Sequence, residues 1–120
     1  MNEYVITSQN LNNSLTFYRA LLGRMPDQMT GEQLVFHTES TRLWVVESKE
    51  VQQRQFFLAI EKHEQLRSIY QRMNRFMKLE KFKDDCEALG SSFGLFDPDG
   101  HRWRVGDLAT DINYNKCYFN

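Results

Sequence analysis

Three histidines, two cysteines and the pair of aspartates in Asp97-Pro98-Asp99-Gly100 are the obvious candidates for chemistry in this 120-residue chain. Histidine metal sites within one element need a spacing such as HxxxH that puts both rings on one face. His37, His63 and His101 have no such partners. His37 reads as a strand-end side chain, His63 as the exposed start of a helix and His101 as a residue following a turn. Asp97 and Asp99 invite a calcium-loop reading, but the third acid is missing and Leu108 stands where the loop's closing glutamate belongs. They read as a turn. Cys86 and Cys117 form no CxxC and are too few for a disulfide framework, so they read as reduced thiols. Neither has a histidine near it in sequence, and GxSxG, Walker A and GxGxxG are all absent. No catalytic residue is assigned.

The hydrophobic fraction of 41% and charged fraction of 26% are those of a globular protein and exclude disorder, collagen-like repeats and coiled coil. A formal net charge of −1 leaves no footprint for a polyanion. The cluster Arg67, Arg72, Arg75, Lys78, Lys81 and Lys83 is interleaved with acids and reads as a solvated face rather than a nucleic-acid surface. The longest apolar run, Phe56 to Ile60, falls far short of the ~20 residues that span a bilayer, and no signal peptide is visible. The expectation is a cytoplasmic protein without membrane or nucleic-acid partners.

The elements that must position any site follow from periodicity. Tyr4 to Ser8 reads as a strand. Ser14 to Leu22 reads as a helix capped by Asn13 or Ser14, with Leu15, Tyr18 and Leu22 inward, Phe17 and Leu21 widening that stripe, and Gly23 past its end. Residues 24–33 read as a loop, and Leu34 to His37 and Arg42 to Glu47 as a hairpin. The pattern restarts with a strand at Phe56 to Ile60 and a helix from Glu64 to about Phe76, its inward residues Leu66, Ile69, Tyr70 and Met73. Residues 77–92 mix strand and loop, and a second hairpin joins Phe93 to Phe96 and Arg102 to Val105. Its turn has Asp, Pro and Gly where a type I turn takes them.

The restart is an internal repeat. At an offset of 52, Ile6 meets Leu58, Phe17 meets Ile69, Tyr18 meets Tyr70 and Leu21 meets Met73. At an offset of 60, Val35-Phe36 meets Leu95-Phe96, Leu43 meets Trp103 and Val45 meets Val105. The expected fold is α+β: one domain over 1–120, built of two βαβββ modules at about 1–52 and 53–108, with a C-terminal tail at 109–120.

Two segments point further. Ser14-Leu15-Thr16-Phe17-Tyr18-Arg19-Ala20-Leu21-Leu22-Gly23 resembles the SLxFYxxLLG helix of the vicinal oxygen chelate superfamily, and Phe96-Asp97-Pro98-Asp99-Gly100-His101-Arg102 resembles its FxDPDGNR hairpin. That superfamily includes glyoxalase I, extradiol dioxygenases, fosfomycin-modifying thiol transferases and bleomycin resistance proteins. The resemblance covers about residues 3–107. It implies two modules whose sheets curl into an open cup with helices outside, and a homodimer. In metal-dependent members four ligands, usually His, Gln or Glu, stand on the first and last strands of each module. Carried over residue by residue, these positions are Glu3, Trp44, Gln55 and Arg104. Tryptophan offers only an N–H, and arginine has no lone pair to give and does not lose its charge. The expectation is no metal and no other cofactor, a divalent-metal lyase or dioxygenase being the alternative, with His37 as a further donor.

Strand alternation sends Glu3, Val5, Thr7, Arg42, Trp44, Val46, Gln55, Phe57, Ala59, Arg102 and Arg104 to the cup side, and Phe56, Leu58 and Ile60 to the helix side. Trp44 suits stacking on a flat or cationic group, and Arg104 suits a carboxylate or phosphate. The expected ligand-binding residues are Glu3, Trp44, Gln55, Phe57, Arg102 and Arg104, taking a small organic molecule. Against this stand an interaction subunit with an occluded cup, and a Glu3–Arg104 ion pair that fills the vacated site. A net charge of −1 gives little steering for a strongly cationic drug.

Overall fold

The computed structural model describes residues 2–80 and 92–107, which form two compact units. The expectations for Cys86, Lys81, Lys83, Cys117 and the tail lie outside the described residues. The first unit comprises 2–54 and 96–101, the second 55–80, 92–95 and 102–107.

In the first unit β1 (Asn2–Ser8), α1 (Leu11–Leu22), β2 (Gln28–Met29), β3 (Gln33–His37) and β4 (Thr41–Glu47) give a mixed sheet of order β1-β4-β3-β2. β1 runs parallel to β4, and the remaining pairs are antiparallel. Helix α1 begins a turn earlier than the sequence suggests. Its cap is Asn10, whose side chain accepts the Asn13 N–H at 3.1 Å. Ser14 instead turns inward and bonds Ser8 Oγ at 2.6 Å. The buried stripe is Ser14, Phe17, Tyr18 and Leu21, so Leu15 and Leu22 are its half-buried margins rather than its centre. Gly23, at φ 68°, closes the helix with its N–H on Arg19 O. The expected loop at 24–33 contains β2, a two-residue edge strand with both side chains exposed, which leaves no alternation to read.

In the second unit β5 (Gln55–Ile60), α2 (His63–Asn74), β6 (Ser92–Phe96) and β7 (Arg102–Asp107) give the order β5-β7-β6, with β5 parallel to β7. Helix α2 packs on β5 and β7. It buries Leu66 and Met73, while Ile69 and Tyr70 are half-buried, Tyr70 lying edge-on to Phe93 at 5.2 Å. Trp103, Val105 and Leu58 complete this face of the core.

The repeat holds at the level of register. Glu3 pairs with Arg42 and Val5 with Trp44 in the first sheet; Gln55 pairs with Arg102 and Phe57 with Arg104 in the second. Offsets of 52 on one strand and 60 on the other convert each pair into its counterpart. Both units are α+β with mixed sheets, as the βαβββ reading requires.

The turn Phe96–His101 belongs to the first unit, and there it meets α1 and β1. Asp97 is buried and accepts three hydrogen bonds: from Tyr18 OH on Oδ2, and from the His101 and Asp99 N–H groups on Oδ1 at 2.8 and 3.0 Å. Asp99 Oδ1 accepts the Gln9 N–H at 2.9 Å. His101 Nδ1 accepts the Arg54 N–H at 3.1 Å, which puts the ring proton on Nε2, the donor to Thr7 O at 2.8 Å. The two segments that carry the family resemblance are therefore one hydrogen-bonded clasp.

Burial raises the Asp97 carboxyl above its ordinary value, against the opposing pull of the Tyr18 bond and the neighbouring N–H groups. An acid whose folded pKa is raised binds its proton more tightly in the folded state. Its contribution to stability is therefore fully present below the unfolded pKa of 3.8 and is lost as pH rises through the folded value. The stability of the wild type relative to Asp97→Asn should fall over that window in urea unfolding from about pH 3 to about pH 7. A difference that stays flat would contradict the assignment.

Candidate functional site

Adjacent positions on parallel strands project to the same side of a sheet. The β5–β7 register therefore gathers Gln55, Phe57, Arg102 and Arg104 on one face, where with the margin of Phe56 they line an open cleft of ≈ 220 Å³. Phe56 itself stacks on Trp103 on the other side, ring centroids 5.0 Å apart, as its parity demands. Gln55 is exposed, Phe57 half-buried, the Arg102 side chain 32% exposed and that of Arg104 only 8%.

A guanidinium removed from water needs a counter-charge. Here it is Glu80. Its Oε1 accepts from Arg102 Nε at 3.0 Å and Nη2 at 2.7 Å, and its Oε2 accepts from Arg104 Nη2 at 3.2 Å. The Glu80 N–H is held by Gly94 O on β6 at 2.9 Å, and its carboxylate lies flat across Gly94. A Cβ at residue 94 would stand 2.6 Å from the carboxyl carbon and 2.7 Å from both oxygens, so glycine there is what lets Glu80 reach the arginines. Glu80 was not among the expected site residues. Arg104 bonds Glu80 at 3.2 Å, and Glu3 lies 3.9 Å from Arg42.

In the first unit Glu3 and Trp44 are brought together through Arg42, whose guanidinium sits over the Trp44 ring at 5.7 Å. Trp44 is half-buried, so it is neither fully core nor a bare platform. His37 pairs with Arg42 across β3 and β4, and its N–H donates to Asp27 Oδ2 at 2.7 Å. His63 starts α2 and accepts from Arg67 Nε at 3.1 Å. His101 is committed to the clasp.

No family model and no curated protein matches the sequence. Solved structures do match. A lactoylglutathione lyase from Agrobacterium tumefaciens superposes with a TM-score of 0.73 at 17% identity, covering 91% of this chain and 93% of its own. A glyoxalase/bleomycin resistance protein from Catenulispora acidiphila gives 0.71 at 22% identity, covering 90% and 98%. A bleomycin resistance determinant encoded on the transposon Tn5 gives 0.72 at 13%, covering 89% and 96%. The chain has the vicinal oxygen chelate fold.

In that fold the four positions implied for metal ligands are occupied here by Glu3, Trp44, Gln55 and Arg104. They do not fit a divalent cation. Arg104 brings a positive charge already bonded to Glu80, and Trp44 brings an N–H and a face covered by Arg42. Among the described residues no three His, Cys, Asp or Glu side chains converge as metal donors. The chemistry the second-unit face offers is instead charge-assisted hydrogen bonding beside an aromatic ring. No described helix is long and apolar enough to cross a membrane.

The two ion pairs should differ in weight. Glu80→Ala strips a carboxylate from a largely buried arginine and should cost on the order of 2 kcal/mol in urea unfolding at neutral pH. Glu3→Ala removes an exposed pair at 3.9 Å and should cost less than about 0.5 kcal/mol. Equal losses would mean that burial does not separate them.

Proposed function

We propose that this chain binds a small organic molecule bearing a flat ring and an anionic group in the cleft of Gln55, Phe57, Arg102 and Arg104. The observation that carries this reading is the pairing of two arginines with an aromatic ring and an exposed amide around one opening. Arginine offers a planar fork of N–H groups that matches carboxylate or phosphate, and Phe57 gives a ring to lie against. Ligand pockets of this kind are apolar with a few placed polar groups. The cleft volume is below the ~300 Å³ at which drug-sized sites begin, which favours a single ring with one acid group. Binding rather than turnover is the activity, without a bound metal. Trp44 and Glu3, in the first unit, are the second candidate surface, where Arg42 over Trp44 again sets a guanidinium beside an aromatic ring. The reading includes the homodimer that the family resemblance implies. The names of the solved neighbours span lyase and resistance protein, and a shared fold does not choose between them.

The test is a matched panel of benzoate, benzamide and benzylamine, followed by thermal shift and intrinsic tryptophan fluorescence. Benzoate should bind saturably while benzylamine does not. Arg102→Ala should weaken benzoate at least tenfold, roughly the worth of one charge-assisted hydrogen bond. Equal responses to all three compounds, or none, would refute the reading. Protein incubated with Mn, Co, Ni and Zn and then desalted should retain no stoichiometric metal. Retention that disappears in Glu3→Ala would replace the binding reading with a metalloenzyme.

A further inference from the structure

The two arginines that line the cleft already hold a carboxylate. Glu80 makes three hydrogen bonds to Arg102 and Arg104, the arrangement an incoming carboxylate would adopt on the same forks. We infer that Glu80 is an intrachain competitor that occupies the anion position of the cleft and sets which ligands enter; this rests on the binding reading proposed above.

Three features fit a replaceable occupant rather than a fixed strut. The Glu80 side chain is 30% exposed, so its carboxylate is reachable from solvent. Its backbone is anchored independently by the N–H to Gly94 O, so the side chain can rotate off the arginines without unpairing the chain. It also lies against Gly94, where no side chain from β6 pins it in place. An arriving anion exchanges one set of charge-assisted bonds for another. The net gain then comes from what Glu80 cannot supply, which is ring contact with Phe57 and a hydrogen bond from Gln55. A bare inorganic anion gains neither and is excluded, whereas an aromatic acid is admitted. Glu80 acts in this way as a specificity-determining residue: it raises the threshold that any anion must pass.

Two variants separate this from a structural role. Glu80→Gln removes the competing charge and keeps the shape. Gly94→Ala keeps the charge and displaces the carboxylate, because the new methyl group would overlap the flexible end of Glu80. Both should remain folded by circular dichroism and thermal melting. Relative to wild type, both should bind benzoate at least tenfold more tightly, and both should acquire measurable sulfate binding. As a readout that needs no ligand, phenylglyoxal modification of Arg102, followed by peptide mass spectrometry, should be several-fold faster in both. Unchanged modification, or benzoate binding no tighter than wild type in both variants, would overturn the role of Glu80 alone. Faster modification with no benzoate binding by any of the three proteins would overturn the binding reading, and the competitor role with it.

Discussion

An arginine that is 7% exposed cannot leave its charge unpaired, and much of the second unit is arranged around that constraint at Arg104. The counter-charge does not come from the paired strand, because Gln55 and Phe57 on β5 are neutral. Glu80 supplies it from the far side of β6, and the route passes directly over residue 94. A side chain at 94 would displace the carboxylate, so glycine admits Glu80 there by close approach and not by backbone angle. The same carboxylate collects Arg102, which leaves two cations sharing one acid among the described residues. Burial of one charge thus determines a glycine, the placing of an acid and the electrostatic character of the cleft.

The two modules illustrate which positions such a fold holds fixed and which it releases. Ile6, Leu43 and Val45 in one sheet, and Leu58, Trp103 and Val105 in the other, are buried at equivalent places. A slip of one residue would turn each of these sets to the opposite face, so they lock the register. The alternate face carries no such obligation. There Glu3 corresponds to Gln55, Val5 to Phe57 and Trp44 to Arg104, with only the arginines at 42 and 102 alike. Duplication kept the frame while the side chains facing away from the helices changed charge, size and hydrogen-bonding type.

This division also explains what could be read from sequence. Apolar matches at offsets of 52 and 60 are signals from the locked face, and they located both parallel strand pairs. Strand parity then placed Gln55, Phe57, Arg102 and Arg104 together, because that inference needs only the alternation of β5 and β7. Glu80 escaped notice because its role depends on a contact across β6, and nothing in the residues around it alternates or repeats. The demand for a carboxylate beside a buried arginine was legible, but the carboxylate the sequence suggested for Arg104 was Glu3 and not Glu80. The start of α1 was misread because Ser14, a favourable cap by type, is used inside the core against Ser8 while Asn10 does the capping. The strand β2 was hidden because its two side chains are both exposed.

The motifs that identify the fold turn out to be a device for stability. Tyr18 from the helical motif meets Asp97 from the hairpin motif, Asp99 reaches Gln9, and His101 joins Thr7 to Arg54, all inside the first unit. These hydrogen bonds all run to other parts of the chain, so the clasp marks architecture without marking chemistry. The arginine cleft is the converse case. Apart from Arg102 its residues lie outside both motifs, its lining includes the exposed Gln55, and the carboxylate on its arginines is held by bonds that a ligand can replace one for one. Function in this fold is therefore to be sought where the pattern is least regular, on the face of the sheet that register leaves free.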